Sequence, residues 1–102
     1  MHPLVGSKRA ELALLCREFR VGRLEVFGSA ATDGFDPETS DLDFLVEFQE
    51  LEPSAYADAY FGLLEALERL FRRPVDLVMN SSITNPFFRE SIDRHRVPLY
   101  AA

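Results

Sequence analysis

The 102-residue chain sets two aspartates, Asp41 and Asp43, one leucine apart at the head of the apolar stretch LDFLVEF. On an extended strand, residues two apart project from the same face with Cα atoms roughly 6 to 7 Å apart, so both carboxylates can converge on one small volume. Two such anions repel, and a divalent cation is the natural way to keep both ionised. Ligands that are all oxygen favour a hard ion, Mg²⁺ or Mn²⁺ in its place, with water and phosphate oxygens in the remaining positions. A phosphate-bearing substrate follows from that. Asp76 stands in the apolar run PVDLVM, where an unpaired charge is costly. If its strand lies beside the one carrying Asp41 and Asp43, the three acids can bind one or two metals and stabilise both oxygens of an in-line displacement at phosphorus. The alternative is a structural ion pair of Asp76 with Arg72 or Arg73.

A second group precedes the acids. Gly28 ends the stretch LEVFG and is free to adopt backbone angles closed to other residues, while Ser29 begins the following turn. Backbone amides at such a start bind phosphate, and the serine hydroxyl adds a donor. A Gly-Ser pair alone marks any strand-end turn; its place ahead of Asp-Leu-Asp gives it weight.

Hydrophobic periodicity supplies the elements that must position these residues. Ser7 is expected to cap a first helix with Leu12, Leu15 and Phe19 on one side and Gly22 near its stop. LEVFG reads as a strand and TDGFDPETS as a loop. In DLDFLVEF, Leu42, Phe44, Val46 and Phe48 share one face, leaving Asp41, Asp43, Leu45 and Glu47 on the other. Pro53 and Ser54 open a long helix whose Tyr60, Phe61, Leu64, Leu67 and Phe71 read as core, ending before Pro74. PVDLVM is a third strand, NSSITN a capped turn, PFFRESIDRH a short helix with a first-turn proline, and VPLY a final edge strand. The pattern predicts one α/β (α+β) domain over residues 1–102, with a mixed sheet of three to four strands and flanking helices.

Composition narrows the functional class. A formal net charge of -6 argues against a protein that coats nucleic acid, and from Asp33 to Glu52 every charged residue is acidic. The single cysteine, Cys16, lies among leucines and reads as a small buried thiol. No stretch has the length of a membrane span or a signal peptide, so a soluble cytoplasmic protein is expected. His2 is expected at a frayed terminus, and His95, Arg94 and Arg96 at a solvated helix end.

The pattern GSAATDGFDPETSDLDFLVEF followed by VDLV resembles the minimal nucleotidyltransferase family, small members of the DNA polymerase β superfamily. The likeness covers nearly the whole chain. It implies that Gly28 and Ser29 hold the nucleotide phosphates with Ser40 at the family's serine, that Asp41 and Asp43 bind Mg²⁺, and that Asp76 is the third acid, assisting deprotonation of the attacking hydroxyl. It further implies ATP as donor and a HEPN-domain ribonuclease toxin as partner in a hetero-oligomer, with AMP transferred to toxin tyrosines by this antitoxin. An arginine that many members carry after Gly-Ser is replaced by Ala30, Ala31, Thr32 and Asp33. Inhibition of the toxin by docking alone and nucleotidyl transfer to a small molecule are the alternatives.

Overall fold

The computed structural model describes residues 1–32 and 34–102; Asp33, assigned above to the loop, lies outside the described residues. Two helices, α1 (Pro3–Gly6) and α2 (Arg9–Glu18), precede β1 (Val21–Phe27). A 3₁₀ turn over Gly28–Ala31 and the long loop lead to β2 (Leu42–Phe48). Helix α3 (Ala55–Phe71) crosses to β3 (Val75–Met79), and a 3₁₀ turn over Asn80–Ser82 leads to α4 (Pro86–Arg94) and β4 (Val97–Ala101). The sheet runs β3-β2-β1-β4. β2 and β3 are parallel, and β1 is antiparallel to both β2 and β4. This is the mixed four-stranded sheet with flanking helices that the patterning predicts. Pro98 sits in the edge strand, where its missing N–H costs little.

Alternation on β2 sends Leu42, Phe44 and Val46 into the main core, where Leu12 and Cys16 of α2 and Leu63 and Leu67 of α3 meet them. Each such fully buried large side chain contributes about 1.5–3 kcal/mol. Phe44 stacks on Phe71, with ring centroids 5.8 Å apart. Leu45, on the acid-bearing face, is also buried, because Ile92 of α4 covers it together with Phe27. A two-residue alternation cannot reveal that cover, which comes from Phe27 and Ile92, both outside the strand.

Three local expectations are corrected. The first helix is broken in two: His2 caps α1 by accepting at Nδ1 from the Leu4 N–H (3.0 Å), and Ser7 ends it, its hydroxyl donating to the Leu4 carbonyl (3.1 Å). Gly22 lies inside β1; the reversal after α2 is made by Arg20, whose φ is 59°. Phe61 is 64% exposed, and Leu63 takes the core position, because the buried stripe of α3 runs through Leu63, Leu67 and Phe71.

Candidate active site

The acids gather where β2 and β3 begin and β1 ends. Parallel register makes Asp43 the Cα partner of Asp76, and antiparallel register makes Asp43 the partner of Phe27. Asp41 precedes β2 by one residue, so it shares the acid face. The Leu42 N–H donates to the Pro74 carbonyl (3.3 Å), fastening the heads of the two acid-bearing strands together. Asp43 is half-buried. Burial, then the negative charges of Asp76 and Asp41, push its pKa up to about 6.

Gly28 is built into the same point. Its φ is +70°, a backbone state that costs an L side chain roughly 1–2 kcal/mol, and a Cβ there would run into Asp43 Oδ2 and lie 3.2 Å from Asp43 Cγ. Ser29 is the second residue of the 3₁₀ turn, and its carbonyl accepts from the Thr32 N–H and hydroxyl, both at 3.2 Å. The turn is held from outside by His2, whose N–H donates to the Ala30 carbonyl (2.9 Å) and whose ring lies 4.7 Å from that of Phe35. His2 is therefore pinned, contrary to expectation; a polar residue before Pro3 was the available signal.

Asp76 is exposed, because β3 is the outer strand of the sheet, so burial does not force a partner on it. Among the described residues it has no ion pair: Arg73 donates to the Pro37 carbonyl (2.9 Å) and lies over the Phe35 ring, while Arg72 ends α3 in a left-handed conformation. Ser40 closes the loop, accepting at Oγ from the Asp36 N–H (3.0 Å). Arg96 is tied to Glu25 (3.5 Å) and Asp93 (3.1 Å), and Arg94 to Glu90 (3.1 Å). Glu47 accepts from Asn80 at 3.5 Å and lines, with Arg23, Glu25, Arg89 and Arg96, a polar cavity of about 180 Å³ at the far end of the acid face. Cys16 is buried, which pushes its thiol up to about 12 and leaves it unreactive.

The donor set fits a metal of one kind. Among the described residues, no three Asp, Glu, His or Cys side chains close into a ligand cage, so the three-acid set of Asp41, Asp43 and Asp76 is not a preformed one. Asp41 and Asp76 are exposed near the heads of their strands, and their charges act on Asp43. A hard cation such as Mg²⁺ needs no closed cage: one or two carboxylates with water and substrate phosphates suffice. Repelling carboxylates beside a glycine turn suit a cation that arrives with a phosphate.

A family model described as a nucleotidyltransferase domain matches residues 11–99. The chain belongs to this nucleotidyltransferase family. The nucleotidyltransferase is 35% identical over 85 residues, 83% of each chain, to a Methanocaldococcus jannaschii protein named "Putative protein adenylyltransferase MJ1379". A solved structure of a protein described as a "putative minimal nucleotidyltransferase" superposes with a TM-score of 0.77 at 34% identity, covering 97% of both chains. A chain from the structure of a tri-AMPylated Shewanella oneidensis HEPN toxin in complex with MNT antitoxin shares the fold at a TM-score of 0.59 and 19% identity, over 96% of this chain and 73% of that one. No helix of the nucleotidyltransferase, among the described residues, is long and apolar enough to cross a membrane.

The raised Asp43 pKa has a measurable consequence in the metal-free nucleotidyltransferase. Between its unfolded value of 3.8 and its folded value of about 6, the folded state holds the proton more tightly than the unfolded chain. Stability is therefore expected to fall as pH rises across that window and to level off above it. Chemical denaturation from pH 4 to 8 checks this, with Asp43→Asn as reference. Identical pH slopes for the two proteins would remove the electrostatic argument.

Proposed function

We propose that the chain is a Mg²⁺-dependent adenylyltransferase that moves AMP from ATP to a tyrosine hydroxyl of a helical HEPN-type toxin, acting as its antitoxin in a cytoplasmic hetero-oligomer. The observation that carries this reading is the placement of Asp43 level with Asp76 and against the positive-φ turn at Gly28. Asp41 and Asp43 would hold the cation and Gly28 and Ser29 the phosphates. A cation held there would supply neutralisation of the negative charge that develops at phosphorus and on the leaving group. The chain's residues align the partners: the acceptor oxygen forms a bond to the α-phosphorus, the bond between that phosphorus and the bridging oxygen breaks, and pyrophosphate leaves with the electron pair. Asp76, exposed at the strand head, accepts the hydroxyl proton. Support for AMP and for the partner comes from the named relative and from the AMPylated toxin complex that shares the fold.

Inhibition by docking alone is favoured by one feature, the absence of an arginine from Ala30 to Asp33. One experiment separates the two. Incubation of the chain with its toxin, ATP and Mg²⁺ is expected to add AMP groups to toxin tyrosines, seen by mass spectrometry, and Asp41→Ala with Asp43→Ala is expected to abolish the shift. If native chain and double variant neutralise the toxin equally and neither modifies it, docking alone replaces transfer.

A further inference from the structure

Helix α4 leaves two aromatic rings exposed: Phe87 is 80% and Phe88 40% exposed. Phe88 packs edge-on against Phe27, with centroids 6.3 Å apart, and Phe27 is the strand partner of Asp43. One turn later Ile92 is buried against Phe27 and Leu45, so the Phe88–Ile92 side of the helix faces the sheet. Arg89 reaches the other way, donating to Asn80 Oδ1 (2.7 Å) and to the Asn80 carbonyl (3.1 Å), just past the end of β3 opposite Asp76. At about 100° per residue, Phe87 and Arg89 lie on opposite flanks of a helix whose Phe88 points inward. Phe87 therefore stands on the flank that looks toward the acids.

We propose that Phe87, backed by Phe88, is the platform on which the base of the bound nucleotide stacks. The proposal rests on the nucleotide-site reading above and adds the base subsite to it. A nucleotide whose phosphates lie at Gly28 and Asp43 must carry its base out of the charged centre, and the rings at the N-terminal turn of α4 offer it an apolar π-face. Two rings make a surface of base size, far below the area of a stable protein interface. Asn85 Oδ1 accepts from the Phe87 N–H (2.8 Å) and the Phe88 N–H (3.4 Å), which fixes the backbone carrying both rings.

Calorimetry with Mg²⁺ and two probes, ATP and inorganic tripolyphosphate, tests the proposal on the full chain. Phe87→Ala is expected to weaken ATP by about tenfold while tripolyphosphate binds as before, and Phe87→Trp is expected to retain or tighten ATP. Because Phe87 is so exposed, the Ala variant should keep the native melting temperature. Unchanged ATP affinity, or equal losses on both probes, overturns the platform. Unchanged ATP affinity with weakened toxin binding would assign Phe87 to a protein contact instead. A native chain that binds neither probe removes the nucleotide-site reading, and the platform with it, a result distinct from any change confined to the variant.

Discussion

Asp43→Asn is expected to lower nucleotidyl transfer by about 10³-fold or more while leaving the chain folded. The substitution keeps the volume of the side chain and removes a carboxylate that adjoins Phe27, Gly28 and Asp76 together. Loss of several kcal/mol of charge stabilisation at phosphorus corresponds to a rate loss of that order. The same change relieves the repulsion that pushes the Asp43 pKa up. Above pH 6 and without metal, the variant is therefore expected to melt higher than the native chain, by about 3–6 °C for a domain of this size. Initial rates with Mg²⁺ and ATP, paired with melting curves, check both halves. A variant that melts lower and loses activity merely by unfolding would contradict the assignment, as would one that keeps its rate.

The second large effect is expected at Gly28. Gly28→Ala forces a side chain into a φ of +70° and drives its Cβ into the Asp43 carboxylate, so the melting temperature should fall by about 5–10 °C and metal-supported nucleotide binding should be lost. The clash and the backbone strain are separable. In an Asp43→Ala background the obstructing carboxylate is gone, and the Gly28→Ala penalty should shrink to the strain alone. Additive penalties in that double-mutant cycle would falsify the claim that the glycine is there to admit the carboxylate.

Much of this protein is set by local chemistry that a sequence displays directly. The alternation through Leu42, Phe44 and Val46 determines a strand with one buried face, and two-residue spacing then puts Asp41 and Asp43 on the other. Gly28 followed by Ser29 determines a strand end and a tight turn, and Asn85-Pro86 determines where α4 starts. These are short-range matters of backbone angle, capping and period, so residues close in the chain suffice. Which strands lie side by side is a different kind of fact. Asp76 meets Asp43 only because β3 adds parallel to β2 in one register; a shift by one residue would turn Asp76 to the opposite face. Its exposure follows from the edge position of β3, which no property of PVDLVM reveals. The burial of Leu45, the anchoring of His2 at Ala30 and the approach of Phe88 to Phe27 likewise depend on segments that are distant in the chain and close in space. Local preferences made the strands, the turn and the acids; the tertiary packing of α4 and β3 decided how crowded, how charged and how open the site around Asp43 became, because burial and repulsion depend on every neighbour in space and not on order along the chain.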